Sequence, residues 1–350
     1  MNLFGAVVTA RNALYDRGVL RQSRLGRPVV SVGSLAVGGA GKTPFVIYLA
    51  ELLRQGGVRV DILSRGYGRR SSGVLVVEPT AGPATSAAGA VAISHLPKEG
   101  KCGDPALTLA SAALAGDSGD AARFGDEPVL MRQRLGDVPV IVCESRYQAG
   151  VEAEQRFETD LHLLDDGFQH RELARDFDIV LLSPRDLEDR LLPLGRLREP
   201  LSALGRAHAI VWSADQANAK VPAAVPAGKP IWRLRRRVEV PAGSPSRPFV
   251  FCAIAEPERF RRDLESAGVQ AAGYRWFRDH HAYCASDIAA LRRAAERAGA
   301  NGFLTTEKDA VKLGPFREQL GETSVARLVV ELEEPQEAVN MIVRTLSLRA

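Results

Sequence analysis

The sequence predicts an α/β fold with a doubly wound, mostly parallel sheet and a second, smaller α/β domain. Short apolar runs alternate with segments of helical periodicity, and a glycine-rich loop joins the first run to a helix. A proline-rich stretch then separates two such series. Strand, loop, helix and strand in that order make a βαβ unit, from which doubly wound sheets are built.

Six apolar runs in the N-terminal part are the predicted strands. They are rich in Val, Ile and Leu without strict alternation, as expected of parallel strands covered on both faces. They span residues 28–33, 58–64, 138–144, 159–164, 177–183 and 208–213. The segment after the glycines predicts a helix, because Phe45, Leu49 and Leu53 share one face. Pro44 in its first turn and Gly56 at its end fit the usual helix boundaries.

Composition divides the chain into two predicted domains. Residues 1–218 form the N-terminal domain, and residues 79–123 within it are rich in Ala, Gly, Ser and Pro. That stretch predicts a long flexible insertion with one short helix near 105–115. Prolines gather in residues 219–247, the predicted linker. Residues 248–350 form the predicted C-terminal α/β domain, which we expect to close over the site.

Bulk composition limits the class of protein. The 350 residues carry a net charge of +4, which gives no indication of a nucleic-acid partner. The four cysteines lie far apart, without the spacing of a zinc site or a disulfide framework, and this fits a reducing compartment. No apolar run approaches the roughly 20 residues that a membrane span needs.

The N-terminus has a pattern of its own. Apolar residues recur at helical spacing, and the first 27 residues carry five arginines against one acid. The apolar stripe comprises Leu3, Phe4, Val7, Ala10 and Leu14. Two interpretations stay open: an interfacial helix on an anionic membrane surface, or a helix packed on its own domain.

The loop "AVGGAGKT" is close to the P-loop pattern for nucleotide phosphates. Its small residues would let backbone N–H groups turn towards phosphate oxygens. They are Gly38, Gly39, Ala40 and Gly41. Lys42 would reach the β- and γ-phosphates, and the Thr43 hydroxyl would bind Mg²⁺. Ala36 replaces the first glycine of the pattern, so a glycine-rich turn with a solvated lysine is the alternative.

A P-loop needs a carboxylate for its metal ion, and "LHLLDDGFQH" offers Asp165 and Asp166 where a buried strand ends. Ligands bind at the carboxyl ends of parallel strands, and Mg²⁺ takes one or two carboxylates together with phosphate and water. The alternative is a turn with two solvated acids, for which Asp-Asp-Gly is well suited.

Four further polar clusters are candidate site segments: "SRGYGRR", "FGDEP", "RDHHAY" and "LPLGRLREP". A histidine beside a carboxylate can transfer protons near neutral pH, and arginines suit phosphate recognition. The residues concerned are Arg65, Tyr67, Asp126, Glu127, Asp279, His280, His281, Arg196, Arg198 and Glu199. Taken singly, each cluster is also compatible with a solvated turn.

Together these motifs resemble the ordered signatures of the tetraacyldisaccharide 4'-kinase family of Gram-negative bacteria. The resemblance rests on "VGSLAVGGAGKTP", "SRGYGRR", "GDEP", "LDDGFQHR", "LPLGRLREP", "AIAEPERF", "DHHAY" and "TTEKDAVKL", in that order. It implies that ATP, with Mg²⁺, phosphorylates the 4'-hydroxyl of a tetraacyldisaccharide 1-phosphate, forming lipid IVA in lipid A biosynthesis. It also implies a peripheral protein on the cytoplasmic face of the inner membrane, attached by its N-terminal helix. We expect a monomer without a nucleic-acid partner.

The resemblance implies roles for residues that match the motifs. Asp126 and His280 match a catalytic dyad in which the acid takes the proton from the sugar hydroxyl, with His281 as the alternative histidine. Lys42 is the third catalytic candidate. The implied metal ligands are Thr43, Asp165 and Asp166. The remaining nucleotide-site candidates are Gly38, Gly39, Ala40, Gly41, Arg65, Tyr67, Gln169, Arg198 and Glu199.

Two other classes are alternatives. A P-loop GTPase or metallochaperone-type switch needs Asn/Thr-Lys-x-Asp, but in "TTEKDAVK" Asp309 directly follows Lys308 and the spacing fails. A non-catalytic adaptor at the membrane surface would leave Asp126 and His280 without a role.

Overall fold

A computed structural model describes residues 3–39, 41–77, 118–213 and 225–347. The strands in these ranges are β1 Val29–Ser34, β2 Val60–Ser64, β3 Leu75–Val77, β4 Val140–Val142, β5 Leu161–Asp165, β6 Phe177–Leu182, β7 Ala209–Trp212, β8 Ile231–Glu239, β9 Phe249–Cys252, β10 Gly273–Trp276, β11 Phe303–Thr306 and β12 Thr323–Leu332. The helices are α1 Leu3–Asp16, α2 Lys42–Gln55, α3 Ser118–Phe124, α4 Asp126–Leu135, α5 Arg146–Arg156, α6 Pro184–Leu187, α7 Pro257–Ser266, α8 Ala285–Arg297, α9 Glu307–Leu313, α10 Phe316–Leu320 and α11 Pro335–Ser347.

These strands form one sheet in the order β10-β9-β11-β12-β8-β7-β6-β1-β5-β2-β4-β3. β1 lies between β5 and β6 and is parallel to both. Every residue of these three strands is buried, because both faces of the sheet are covered. Pairing is antiparallel between β3 and β4 and between β8 and β12. The predicted fold class, a mostly parallel α/β sheet, is confirmed.

Strand β8 joins the two halves of the sheet by changing partners along its length. Its first residues, Ile231 to Arg233, pair in parallel with β7, and Leu234 to Glu239 pair antiparallel with β12. The strand lies inside the predicted linker 219–247, of which the structure describes residues from 225 onwards. Ladder pairing therefore continues from one half of the sheet to the other.

Helix α2 packs one face onto the sheet beside β1, as predicted. Phe45, Leu49 and Leu53 are fully buried in a cluster that also contains Val30 of β1. Ile342 of α11 belongs to the same cluster, so the C-terminal helix packs on the N-terminal half of the sheet. Burial of these side chains fixes the start of α2, and hence the position of the preceding loop.

The predicted insertion at 79–123 falls mainly outside the described residues. The short helix predicted near 105–115 lies wholly outside them. The end of the insertion is described and belongs to α3, which is followed directly by Gly125 and α4.

Candidate active site

The loop between β1 and α2 has the backbone of a phosphate-binding turn. Gly38, Gly39 and Gly41 have φ values of 70°, 61° and 72°, a left-handed conformation that side-chain-bearing residues rarely adopt. Helix α2 begins at Lys42, directly after this turn, so its unpaired N–H groups and the positive end of its dipole face the loop. Ala40 lies outside the described residues.

Lys42 and Arg198 meet at the end of β1. The Nζ atom of Lys42 lies 3.2 Å from Ser34 Oγ and 3.4 Å from Asp166 Oδ1. Arg198 forms a bidentate pair with Asp166 at 2.8 and 2.7 Å and donates to the Ser34 carbonyl oxygen at 3.1 Å. Burial alone would raise the pKa of Asp166, but Lys42 and Arg198 outweigh it and hold that pKa far below its usual range. An ionised Asp166 thus anchors two cations beside the loop.

Asp165 has the opposite environment. It ends β5, is 4% exposed, and accepts a hydrogen bond from Ser64 Oγ at 3.2 Å. Burial, with the nearby charges of Glu127 and Asp166, raises the pKa of Asp165 to about 7, and Lys42 only partly offsets this. The two adjacent aspartates therefore have opposite pKa shifts, and Asp165 is the one that a further cation would stabilise.

The loop and the aspartates open onto a cavity of about 940 Å³ that both halves of the sheet line. Residues of the first half in its wall include Gly38, Gly39, Gly41, Lys42, Thr43, Arg65, Tyr67, Glu127, Arg146, Asp165, Asp166, Gln169 and Arg198. Residues of the second half include Glu256, Arg259, Asp279, His280 and Lys308. A Cβ added to Gly39 would lie 2.9 Å from Glu256 Cδ, so the two halves approach closely at the loop.

Asp126 and His280 come together from the two halves. His280 Nδ1 lies 3.0 Å from Asp126 Oδ2, and the Tyr67 ring lies 5.0 Å from the His280 ring, centroid to centroid. His280 lines the cavity, whereas Asp126 lies behind it and is 5% exposed. The Nε2 atom of His281 instead lies 2.8 Å from Asp287 Oδ2. The structure therefore places His280, and not His281, against Asp126.

Asp126 is an ionised carboxylate in spite of its burial. Burial would raise its pKa, but the hydrogen bond to His280 and the charges of Lys308 and Lys312 outweigh this, and the pKa lies below the usual value. The backbone N–H of Glu127 also donates to Asp126 Oδ1 at 3.0 Å. A charged carboxylate hydrogen-bonded to a histidine is suited to orienting the ring and to stabilising its protonated form.

Comparison with known proteins decides the family. The family model described as LpxK, tetraacyldisaccharide-1-P 4'-kinase, matches residues 1–91 and 107–347. The chain belongs to the tetraacyldisaccharide 4'-kinase family. The resemblance inferred from the motifs is thereby confirmed.

Individual members of the tetraacyldisaccharide 4'-kinase family match over most of their length. The Koribacter versatilis protein is 42% identical over 355 aligned positions, covering 99% of this chain and 98% of that protein. The Aquifex aeolicus protein is 36% identical and covers 89% and 87% respectively. A crystal structure of Aquifex aeolicus LpxK in complex with ATP matches with a TM-score of 0.72 and 32% identity, covering 98% of this chain and 96% of that one.

The candidates Gln169 and Glu199 have different positions in this 4'-kinase family member. Gln169 lines the cavity and donates to the Ser34 carbonyl oxygen at 3.1 Å. Glu199 is 2% exposed and accepts hydrogen bonds from Asn12, Gln169 and Arg206 at 2.6, 2.9 and 2.8 Å. Glu199 therefore does not face the cavity but connects α1 to the residues around the end of β1.

Sequence reasoning gave no role to several charged residues of the cavity wall, among them Arg146, Glu256 and Lys308. Arg146 is 4% exposed and donates to the carbonyl oxygens of Cys143 and Glu144. Arg146 begins α5, a few residues after the end of β4, and Lys308 lies in the first turn of α9, shortly after the end of β11. A charged residue at the start of the helix that follows a buried parallel strand is the signal that could have identified both.

Helix α1 of this 4'-kinase family member has two different faces. Tyr15 is buried under the Arg171 guanidinium, which lies 5.0 Å from the ring centroid, and Asn12 reaches Glu199. Leu3 and Val7 are 81% and 59% exposed. The helix therefore packs on its own domain through one face, and its other face carries exposed apolar side chains. Among the described residues, no helix combines the length and the apolar character needed to cross a bilayer.

Proposed function

We propose that the protein transfers the γ-phosphoryl group of ATP to the 4'-hydroxyl of a tetraacyldisaccharide 1-phosphate, forming lipid IVA in lipid A biosynthesis. The observation that carries the proposal is a single cavity with a phosphate-binding loop in one wall and the Asp126–His280 pair at the other. The identity of the acceptor is inferred from the names of the relatives, and ATP as the phosphoryl donor is inferred from the Aquifex aeolicus complex.

The phosphate end of the cavity binds and orients the nucleotide. Backbone N–H groups of the loop and of the α2 N-terminus would hold the β- and γ-phosphates. Lys42 and Arg198 already lie together on Asp166, so both cations are close to where the transferred group would lie. Phosphoryl transfer depends mainly on positioning and on such charge stabilisation.

The acceptor hydroxyl loses its proton to the Asp126–His280 pair. Because His280 lines the cavity and Asp126 lies behind it, we assign contact with the hydroxyl to His280 Nε2 and the orientation of the ring to Asp126. As the hydroxyl oxygen bonds to phosphorus and the bond to the ADP oxygen breaks, the hydroxyl proton passes to Nε2. The resemblance had assigned this proton to the acid itself.

The residues present fit a Mg²⁺ ion. Asp165 has a pKa raised to about 7 by burial and by neighbouring negative charge, so a divalent cation would replace the proton that this environment favours. Thr43 lines the same cavity and would be the second protein ligand, while Asp166 anchors Lys42 and Arg198. Such an ion would take its remaining ligands from phosphate and water. When bound, Mg²⁺ supplies neutralisation of phosphate charge.

The exposed face of α1 would attach the protein to the membrane and so place the cavity near an acylated substrate. Leu3, Val7 and Leu14 are exposed on a helix preceding a basic segment, a combination typical of interfacial helices. We propose peripheral attachment at the cytoplasmic face of the inner membrane, where an acceptor with acyl chains resides. We also propose that the protein acts as a monomer.

The direct test is incubation with γ-³²P-labelled ATP, Mg²⁺ and the disaccharide acceptor, with product analysis by mass spectrometry. We expect a single phosphate gain on the acceptor, and none on an acceptor that lacks the 4'-hydroxyl. The structure gives no support to the GTPase alternative, because Asp309, the acid of its base-reading pattern, is fully buried and accepts hydrogen bonds from the Ala253 N–H and the Tyr283 hydroxyl. Nucleotide hydrolysis without transfer would contradict the proposal.

A further inference from the structure

Lys308 lies in the first turn of α9, and its ammonium group contacts the Asp126–His280 pair. Its Nζ atom lies 3.1 Å from His280 Nε2 and 3.9 Å from Asp126 Oδ2. Carboxylate oxygens of Glu127 and Asp279 lie 3.4 and 3.6 Å from the same nitrogen. Lys308 is therefore the centre of a cluster that holds groups from both halves of the sheet.

The hydrogen-bonding chemistry of these contacts selects one form of the histidine. An ammonium group has three donors and no acceptor, so the Nε2 atom of His280 must be the acceptor of the contact with Lys308. The ring proton of neutral His280 then lies on Nδ1, from which it is donated to Asp126 Oδ2. Both contacts agree on this single tautomer.

Lys308 keeps its positive charge although it is partly buried. Burial would lower its pKa, but the carboxylates of Glu127, Asp126 and Asp279 outweigh the burial and raise the pKa above its ordinary value. The ammonium consequently remains a donor throughout the working pH range.

The backbone of His280 shows how firmly the ring is held. Its φ of 58° is a left-handed value, which is unfavourable for a residue that carries a side chain. Its backbone N–H is paired with Asp279 Oδ1 at 3.0 Å, and its ring is in contact with Asp126, Lys308 and Tyr67. Contacts from the neighbouring Asp279 and from three separate segments thus offset the strain and fix the direction of the ring.

We propose that Lys308 is a positioning residue for proton acceptance: its ammonium holds His280 as the neutral Nδ1–H tautomer and keeps the Nε2 lone pair available. The inference rests on the proposed function. The acceptor hydroxyl replaces the ammonium at Nε2, and the ammonium retains Glu127 and Asp279 as partners. Lys308 therefore acts through His280 and does not itself take the proton.

The first readout is the tautomer, measured by NMR of protein with ¹⁵N-labelled histidine, with the His280 signal assigned from a His280→Gln sample. We expect wild-type protein to show His280 with a protonated Nδ1 and an unprotonated Nε2. Lys308→Met should lose this fixed form, and Lys308→Arg should keep it. Lys229→Met is the matched control, because Lys229 donates to the carbonyl oxygens of Gly205 and Ala207 and is not among the cavity-wall residues.

The second readout is the pH profile of kcat/KM. A cation beside a proton acceptor favours its deprotonated form, so without Lys308 the pair loses its proton at higher pH. The acid limb of Lys308→Met should move upwards by about one pH unit or more, while Lys308→Arg stays near wild type. The other charged groups facing the pair are Glu127 and Asp279, with Lys312 further along α9, and they remain in every variant.

Lys308→Gln keeps a donor and removes the charge, so it should retain the tautomer yet shift the acid limb. A purely structural role for Lys308 would lower rates equally at all pH values. The inference is overturned if Lys308→Met, or Lys308→Gln where the former does not fold, leaves the acid limb unmoved. A wild-type His280 protonated on Nε2 would overturn it as well. The NMR result does not depend on turnover, so failure of the inference and failure of the kinase assignment are distinguishable.

Discussion

The Nδ1 atom of His280 lies 3.0 Å from Oδ2 of Asp126, although the two residues are 154 positions apart in the chain. Asp126 begins α4 in the first half of the sheet, and His280 follows β10 in the second. The contact therefore forms only when both halves are folded against each other. Substitutions of Asp126 or His280 can therefore change both the catalytic reaction and the packing of the two halves against each other.

Asp126→Ala should lower kcat about 100-fold or more while ATP binding stays near wild type, because the pair accepts a proton and the nucleotide phosphates lie at the loop. Turnover and ATP affinity, the latter from calorimetry, are the two measurements. Equal losses in both would move Asp126 from proton transfer to nucleotide binding.

The lowered pKa of Asp126 predicts a pH-dependent stability. A carboxyl whose folded pKa is depressed contributes stability above its unfolded pKa and loses it as pH falls through the folded value. Asp126→Asn should therefore lower the free energy of unfolding by about 2 kcal/mol near neutral pH, the scale of a charged hydrogen bond. In urea titrations the difference between the two proteins should be constant above about pH 4, begin to shrink below it, and vanish only below the depressed folded pKa of Asp126. A difference that does not shrink as the pH falls would count against the assignment.

Lys42→Met should lose at least about 100-fold in kcat, the scale expected when one donor to a developing charge is removed. The fold should be retained, because Lys42 contacts Ser34 and Asp166 at the cavity and is absent from the buried core. Near-normal transfer by a folded Lys42→Met protein would exclude the phosphate role.

Gly39→Ala tests the loop backbone. The new Cβ would meet Glu256 and would sit at a φ of 61°, so the loop must shift and KM for ATP should rise. Gly57→Ala is a matched control, since its φ is 82° and nothing lies within 4 Å of an added Cβ. Both variants should lose about 1 kcal/mol of stability from the backbone alone. If KM rises equally in both, the effect is not specific to the loop.

Leu3→Ser combined with Val7→Ser tests the membrane face of α1. Both side chains are exposed, so the change should leave stability intact and weaken co-sedimentation with anionic liposomes by tenfold or more, given about 1.5 kcal/mol or more per buried apolar side chain. Val343→Ser removes an exposed apolar residue from α11 and should partition like wild type. If the double variant binds liposomes as well as the wild type does, α1 has no role in membrane attachment and serves only to pack on its own domain.

Local sequence was sufficient for much of the fold. Strands such as β1, β5 and β6 are apolar on both faces and were predicted, because burial on two sides leaves a distinct composition. Helices α4 and α5 were missed, since Arg132 and Arg146 are buried in them and interrupt the usual apolar stripe. The pairing of β8 with both β7 and β12 was missed as well. The alternation of apolar and polar residues along a strand indicates which face is buried but does not identify the neighbouring strands.

The candidate site, like the fold, could be predicted from the sequence only in part. The loop glycines and Lys42 are contiguous, and their spacing alone indicates phosphate binding. Lys308 belongs to one of the motifs that carry the resemblance, but it was given no role at the site, because its contacts with His280 and Glu127 arise from distant segments. The opposite pKa shifts of Asp165 and Asp166 follow from which cations reach each carboxylate, and adjacency in sequence says nothing about that.

The partner exchange of β8 constrains how the cavity can admit a bulky acylated sugar. The ladder is continuous from β7 through β8 to β12, so any movement that widens or narrows the cavity must bend or twist β8. Substitutions that disturb the pairing of this one strand should therefore alter how the two cavity walls approach each other, even though β8 is not part of the phosphate-binding loop.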